Sequence, residues 1–380
     1  MFPSFNGTFA GSWRSGLWAF CMVLGSAIFA APLQADRLIL RDLTLIQNVT
    51  VIGFDEEGVK VTDQSLIPWY AIELGTVDPE KQADFDRLRD ELGVPLFRVH
   101  QRLKVGDYAG AREPAEAIFP RYQDRDSNVA YLVCQATMWG RIAEGDRAAA
   151  LEPYFCCLRM LKTGKVDPKK LPGDRKLDFD KSTGLTGDLL PIFFDQEKAA
   201  AALPLASAAA GKIRGIPDGV YIYLASLSIA ANDLETADTW QKKIRTGHPI
   251  LKEWNDLLLA NTMVQMNDLR GAWGLLEPKI HALEPWNQPV ARYLLGVSQS
   301  RSNEYVAIEN GILDLLHLPA MYGSKHPELA AAALVETDIA LRRIQQLEQA
   351  AEIRRQLLFY YGGTLHAERM RTASPSPSNP

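Results

Sequence analysis

Between residues 217 and 316 the chain repeats one pattern of apolar and polar positions. Each repeat has an apolar stripe at helical spacing, a short polar turn, and a second such stripe that is followed by a proline. The turns begin at Asn232, Asn267 and Ser302, so successive turns are 35 residues apart. The closing prolines are Pro249, Pro285 and Pro319, with steps of 36 and 34 residues. A nearly constant step of this length predicts helical hairpins that stack into an α-solenoid.

Residues 36–77 have the apolar pattern of β-strands. Short runs rich in β-branched and aromatic residues alternate with polar turns, and they predict four strands. These strands cover residues 37–40, 48–54, 59–62 and 66–69. The four runs predict a small β-meander or SH3-like module. The module is either a peptide- or glycan-binding barrel or a cap on the first repeat, and we favour the cap because the end of a solenoid must be covered.

The remaining segments are mostly helical in pattern. Residues 78–162 predict the first helical hairpins, and residues 217–366 predict the regular repeats together with a final helix pair. Residues 163–216 interrupt them with glycines, prolines and charges, followed by an alanine-rich helix over residues 195–214 that is interrupted at Pro204. This excursion is either a functional insertion or a degenerate repeat. Residues 367–380 are expected to be a disordered tail.

Residues 1–35 have the pattern of an export signal. Arg14 is the only charged residue, an apolar run covers residues 17–31, and small residues follow. A membrane span needs about 20 apolar residues, so we expect a signal peptide that is cleaved near Asp36. The alternative is an uncleaved membrane anchor, because no charge follows Arg14 within this segment. In either case the rest of the chain is expected outside the cytosol, in the periplasm or secreted.

The residues around the hairpin turns resemble the tetratricopeptide repeat family. In that family a leucine or aromatic residue follows the turn, an alanine comes three residues later, and a proline ends the unit. The matching residues here are Asn232, Leu234, Ala237 and Pro249, then Asn267, Leu269 and Ala272, then Gly296 and Tyr305, and finally Leu347 and Ala350. Asp256 and Arg292 depart from the family, which favours an aromatic residue at those positions. The resemblance covers residues 95–361 apart from the excursion.

The order of segments also resembles exported bacterial proteins that carry such repeats. The resemblance implies a surface that holds another protein or a peptide. Ligand peptides in the family lie along the first helices of successive units. The corresponding residues here are Ile222, Ser226, Trp254, Asn261, Gln265, Tyr293 and Arg301.

These seven residues have different expected roles. Trp254 and Tyr293 would be apolar anchors, Asn261 and Gln265 would bond a peptide backbone, and Arg301 would pair with a carboxylate. The alternative for the two aromatic residues is packing between neighbouring repeats.

Composition and charge narrow the class of partner. The chain has 380 residues with 47% hydrophobic content, enough for a large core, and a formal net charge of −5. A weakly acidic chain without a basic stripe lacks the electrostatic signature of nucleic-acid binding. A membrane contact is expected only through an uncleaved N-terminal segment. Nothing in the sequence indicates an oligomeric state.

Candidate chemistry is sparse. No two of the six histidines are three or four residues apart, which excludes a zinc pair on one helix face. The residues around Lys165 lack the first glycine and the hydroxyl residue of a phosphate-binding loop. The excursion holds several carboxylates, Asp178, Asp188 and Asp195 among them, which are either a solvated face or acid–base groups. We predict no catalytic residue, no metal and no cofactor.

Three cysteines allow one disulfide in an oxidising compartment. Cys134 lies early in the first helix of the second hairpin, and Cys157 lies late in its second helix. Antiparallel helices bring these two ends together, so a Cys134–Cys157 disulfide is a candidate. The alternative is three buried thiols, with Cys156 the third.

The sequence as a whole favours a non-catalytic scaffold or adaptor of the bacterial cell envelope. Two alternatives remain. One is an enzyme that acts on envelope polymers, with its site between the excursion and the repeats. The other is a purely structural envelope component.

Overall fold

The computed structural model describes residues 36–63, 65–245 and 247–373. The predicted export signal and the end of the predicted tail lie outside the described residues. The described chain is mainly helical, with a small N-terminal β region. It divides into two compact units. The first holds the described residues up to Ile67 together with Ala71–Arg89, and the second holds Pro68–Tyr70 and the described residues from Asp90 onward.

The first unit contains two antiparallel three-stranded sheets, in the orders β2-β1-β6 and β3-β4-β5. The strands are β1 Asp36–Leu40, β2 Leu45–Val49, β3 Val51–Asp55, β4 Gly58–Val61, β5 Leu66–Ile67 and β6 Ile72–Thr76. The predicted strand 48–54 is wrong as one element, because it divides into β2 and β3 at Thr50. Asp36 of β1 accepts a hydrogen bond from the backbone N–H of Val51 (2.6 Å) and so ties one sheet to the other. Helix α1, Pro79–Leu88, covers β6, with Phe85 fully buried.

The second unit is built from helices that follow one another in hairpins. They are α2 Val94–Lys104, α3 Tyr108–Tyr122, α4 Asn128–Ala143, α5 Leu151–Thr163, α6 Gln196–Gly211, α7 Asp218–Ala230, α8 Leu234–Gln241, α9 Pro249–Gln265, α10 Leu269–Leu276, α11 Gln288–Ser300, α12 Tyr305–Tyr322, α13 Pro327–Arg343, α14 Leu347–Tyr360 and α15 Leu365–Ala373. Consecutive helices pack together, and α7, α9, α11, α13 and α15 also contact one another in that order. From α7 to α13, the first helix of each hairpin therefore touches the first helix of the next, and α13 touches the last helix, α15.

The hairpin turns share a local geometry. Asn232 and Asn267 take the left-handed conformation, with φ 62° at both, which asparagine tolerates better than most residues. The following residue, Asp233 or Asp268, donates its backbone N–H to the end of the first helix, and its carboxylate accepts from the first turn of the second helix. The turn at Ser302 differs, because it has no left-handed residue and α12 begins without a side-chain cap.

One close contact between helices depends on glycine. A Cβ atom on Gly311 of α12 would lie 2.4 Å from the backbone nitrogen of Ser300, and one on Gly296 would lie 2.8 Å from the side chain of Leu315. The two helices of this hairpin therefore approach as closely as they do only because both positions lack a side chain.

The excursion has little regular structure between α5 and α6. It holds a short 3₁₀ helix, Pro168–Lys170, and isolated bridges that join Thr186 to Phe179 and to Leu189. Helix α6 runs through Pro204, so the predicted interruption there is wrong.

The helical region continues into the segment that was expected to be a disordered tail from residue 367. Helix α15 covers the start of that segment, and its Ala367 is fully buried. No helix of the described residues is long and apolar enough to cross a membrane.

Candidate functional site

An open cleft of about 750 Å³ lies along the first helices of successive hairpins. Helices α7, α9, α11, α13 and α15 each contribute lining residues. Residues 192–197, where the irregular part of the excursion meets α6, complete the lining. We call it the interhelical cleft. It is a mixed surface of amides, aromatic rings and arginine–carboxylate pairs, which suits an extended chain with polar backbone groups.

Four of the seven predicted groove residues line this cleft. Asn261 and Gln265 lie in the last turns of α9, Tyr293 lies on α11, and Arg301 directly follows α11. The amides of Asn261 and Gln265 have no hydrogen-bond partner among the described residues. They leave donors and acceptors available to a ligand.

The other three predicted residues lie in the core. Ile222 and Ser226 are fully buried, because α7 is buried over nearly its whole circumference by α6, α8 and α9. Trp254 is only 1% exposed and packs edge-on against Trp286, with ring centroids 6.0 Å apart. Trp254 therefore packs between repeats, which was the alternative interpretation of this residue. Trp254 lies on the same face of α9 as Asn261 and Gln265, but neighbouring residues cover that part of the helix.

Arg301 is held by an acidic partner inside the cleft. Its Nε and Nη2 atoms donate to the two carboxylate oxygens of Glu336, at 2.9 and 2.6 Å. This hydrogen bonding raises the pKa of Arg301, and the guanidinium stays charged. Glu336 is nearly buried, whereas the Arg301 side chain is 42% exposed, so the guanidinium is the part of the pair that a ligand meets.

The excursion places an aromatic residue and an acid in the same cleft. The ring of Phe194 lies edge-on to Tyr293, at 5.4 Å between centroids, and to His366, at 5.1 Å. Arg369 of α15 donates to Asp195 (3.0 Å) and to the carbonyl oxygen of Phe194 (3.3 Å). The sequence pointed to Tyr293 as a groove residue and to Asp195 as a carboxylate of the excursion. The contacts themselves were not predicted, because they join segments far apart in the chain.

His366 is an ionisable side chain of the cleft that burial affects strongly. Burial, with a smaller contribution from the charge of Arg369, lowers its pKa to about 4. Its Nε2 atom is buried and has no hydrogen-bond partner. Burial also raises the pKa of Tyr293. Near neutral pH both side chains are uncharged, so the aromatic part of the cleft is apolar.

Helix side chains fix the excursion through its backbone carbonyl groups. Tyr154 donates to the oxygen of Gly184 (2.5 Å), Tyr223 to that of Leu189 (2.7 Å), and Arg147 to that of Leu190 (3.0 Å). These donors satisfy carbonyl groups of an irregular, buried segment, which would otherwise lose hydrogen bonds to water. The part of the excursion that leads into the cleft-lining residues 192–197 is therefore fixed to the helices.

A second cavity of about 650 Å³ lies on another part of the excursion. We call it the charged pocket. Its charged lining residues are Arg147, Arg175, Asp178, Asp188, Lys325 and Glu328. Arg175 donates to Asp188 (2.6 Å), and its guanidinium carbon lies 4.9 Å from the ring centres of both Tyr108 and Trp139.

Two features of the charged pocket bear on chemistry. Burial raises the pKa of Glu328, although the guanidinium of Arg147 opposes this shift. Asp178 and Lys325 are exposed at the rim and have no ion-pair partner among the described residues. The pocket therefore combines a buried carboxyl group whose pKa is raised with an exposed carboxylate.

The described residues contain no group of three or more side chains that could hold a metal ion.

Cys134, Cys156 and Cys157 are free, buried thiols in the structure. Burial raises the pKa of Cys134 and of Cys157, and the neighbouring Cys156 contributes to both shifts. The predicted Cys134–Cys157 disulfide stays a prediction.

Comparison with protein-family models, with curated proteins and with solved structures found no match in any of the three. The tetratricopeptide resemblance therefore stays a prediction from the residues at the turns.

Proposed function

We propose that this protein is a non-catalytic scaffold or adaptor that binds an extended segment of a partner protein in the interhelical cleft. The proposal rests on one observation. A single open cleft is lined by four of the residues that the resemblance implies would face a ligand: Asn261, Gln265, Tyr293 and Arg301. Residues that recur at matching positions of successive hairpins and meet in one cleft are suited to a ligand that runs across several hairpins.

The chemistry of the cleft supports a peptide as the ligand. An extended peptide presents backbone N–H and C=O groups, and the free amides of Asn261 and Gln265 can bond both kinds. Tyr293 and Phe194 offer apolar ring surface beside them. Polar groups then fix the register of the ligand while the rings contribute apolar contact area.

The arrangement of hairpins supports a tetratricopeptide-like solenoid as the framework. First helices touch first helices from α7 to α15, as stacking of equivalent units requires. We further propose that the protein acts outside the cytosol, in the bacterial cell envelope. The apolar pattern of residues 17–31 is the support for this location.

A matched pair of double variants tests the proposed function. Asn261→Ala combined with Gln265→Ala removes the free amides from the cleft. Asn310→Ala combined with Gln349→Ala removes two exposed amides from the second helices α12 and α14. After crosslinking in the native envelope, the first variant is expected to recover the copurifying partner about tenfold less well than the second.

Thermal unfolding should be similar for the two double variants, because none of the four amides is buried. Equal recovery of the partner by both variants would refute binding in the interhelical cleft. It would favour a purely structural envelope role or binding on another surface.

An enzyme that acts on envelope polymers is a second candidate, and the charged pocket is the observation that favours it. Glu328 could donate a proton as a general acid, and Asp178 could act as a base. Turnover of purified peptidoglycan that is lost in both Glu328→Gln and Asp178→Asn, and kept in Asp63→Asn, would establish this function. Asp63 is an exposed carboxylate of the first unit.

A further inference from the structure

Residues 192–197 of the excursion line the interhelical cleft, so they help to determine what the cleft binds. Ile192 and Phe193 are buried, and Asp195 caps α6 by accepting from the backbone N–H of Lys198 (3.0 Å). The segment is therefore anchored on both sides of Phe194, which stays partly exposed. A residue held in this way is a fixed platform for a ligand.

Two arginines flank this aromatic platform, and each has unused donors. Of the five guanidinium N–H donors, Arg301 uses two on Glu336, and Arg369 uses two on Asp195 and the Phe194 carbonyl group. Three donors remain on each arginine. Both acids are less exposed than the arginines that they hold: the side chains of Arg369 and Asp195 are 52% and 15% exposed.

This arrangement suits a carboxylate more than a cation. Glu336 and Asp195 orient the guanidinium groups, and the remaining donors are presented to the cleft in a planar fork that matches a carboxylate. Glu197 also lines the cleft and opposes an anion, but it is exposed, so solvent and salt screen its charge. The neutral rings of Tyr293 and Phe194 contact each other and line the same cleft as the two arginines.

We infer, on the basis of the proposed function, that the cleft selects a peptide in which an aromatic side chain lies next to a carboxylate. The aromatic side chain packs on Phe194 and Tyr293, and the carboxylate accepts from Arg301 or Arg369. The carboxylate belongs either to an acidic side chain or to the C-terminus of the peptide. The excursion is then a specificity-determining part of the binding site.

Fluorescence anisotropy with the mature chain tests this inference on two labelled probe peptides. One is amidated and contains an internal Phe-Asp pair, and the other ends in a phenylalanine with a free carboxylate. At least one is expected to bind, and replacing its phenylalanine by alanine, or neutralising its carboxylate, should weaken binding about tenfold. Whichever probe binds identifies the source of the carboxylate.

Variants of the protein show whether Phe194 is a platform. Phe194→Ala should weaken binding about fivefold, whereas Phe194→Leu, which keeps apolar volume, should weaken it less. Phe359→Ala removes an aromatic residue that is 80% exposed on α14 and should change nothing. Tighter binding by Phe194→Ala would overturn the inference, because it would show that Phe194 blocks the cleft.

The two proposals fail in different ways. If neither probe binds, but the native partner depends on Asn261 and Gln265, then the specificity inferred here is wrong and the proposed function stands. If neither probe binds and the partner is also indifferent to those amides, both are wrong.

Discussion

Residues of the excursion line both the interhelical cleft and the charged pocket, but the charged side chains of the two cavities differ in exposure. In the cleft, Arg301 and Arg369 each bond a less exposed acid and keep their own side chains about half exposed. In the charged pocket, Arg147 and Glu328 are 8% and 7% exposed, and the Nε atom of Arg147 has no hydrogen-bond partner. The arginines of the cleft are open to a ligand, whereas Arg147 and Glu328 of the pocket lie inside the fold. The exposed charges of the pocket are those of Asp178 and Lys325.

This difference predicts a division of roles. A buried charged group stabilises its surroundings only while its partners are present, and removing one partner leaves the other uncompensated. A partly exposed ion pair contributes little to stability. Substitutions of the buried charges should therefore lower the free energy of unfolding, whereas substitutions in the cleft should mainly change binding.

The largest expected effect is that of Arg147→Ala. The substitution removes the donor to the Leu190 carbonyl group and leaves Glu328 without its nearby cation. We expect the free energy of unfolding, measured by urea denaturation, to fall by about 3 kcal/mol or more. Arg270→Ala is the control, because its side chain is 87% exposed and its pair with Glu304 should contribute at most about 0.5 kcal/mol.

A partial recovery should follow from neutralising the uncompensated acid. Adding Glu328→Gln to Arg147→Ala is expected to restore part of the lost stability. If Arg147→Ala and Arg270→Ala destabilise equally, the contrast between buried and exposed charge is wrong.

Tyr223→Phe should have the next largest effect. The hydroxyl group donates to the Leu189 carbonyl group and accepts from the N–H of Thr186 (3.0 Å), so its loss leaves buried backbone groups unpaired. We expect a loss of about 2 kcal/mol in the same urea experiment. Tyr305→Phe, at a side chain that is 54% exposed, should be neutral. A neutral Tyr223→Phe would mean that the excursion is not fixed by these hydrogen bonds.

The pH dependence of stability provides a third comparison. Burial holds the pKa of His366 at about 4, below its unfolded value near 6.5. The unfolded chain therefore takes up a proton first as the pH falls, and the folded state loses stability between pH 6.5 and 4. From pH 6.5 to 5.5 this histidine should lower the free energy of unfolding by about 1 kcal/mol.

His366→Gln should remove that contribution from the pH profile. Glu328, whose raised pKa acts in the opposite direction, and His326, whose pKa burial lowers to about 3, remain in both proteins and cancel in the difference. Parallel profiles for the wild type and the variant would contradict the buried, neutral state of His366.

The smallest expected effect on stability is that of Arg369→Gln. Its ion pair with Asp195 is partly exposed, so we expect a change of about 0.5 kcal/mol or less. The same variant should weaken binding of the carboxylate probe and reduce the dependence of that binding on salt. A stability loss as large as that of Arg147→Ala would remove the distinction between the two cavities.

Local rules made part of this fold predictable. An asparagine that accepts a positive φ and an aspartate that caps the next helix both act within a few residues, so the turns at Asn232 and Asn267 were visible in the sequence. The resemblance at the turns also named three residues, Trp254, Asn261 and Gln265, that lie on one face of α9. It could not show that Trp254 is covered while Gln265 on the same face is open, because the covering residues come from elsewhere in the chain.

The wall of the cleft was not predictable for the same reason. Asp195 and Arg369 are 174 residues apart, and no local pattern connects an acid in an irregular segment with an arginine in the expected tail. The division of the predicted strand 48–54 at Thr50 was not predictable either. It depends on which strands pair with β2 and with β3, and hydrophobic alternation alone does not specify those partners.

Site-specific photo-crosslinking in living cells tests the central claim most directly. A photo-reactive amino acid at position 265, in the interhelical cleft, is compared with one at position 349, on the exposed side of α14. The account predicts that position 265 crosslinks to one short segment of a partner protein, identified by mass spectrometry, and that position 349 does not. Crosslinking of the same segment from both positions, or none from position 265 when the partner copurifies, would contradict binding in the cleft.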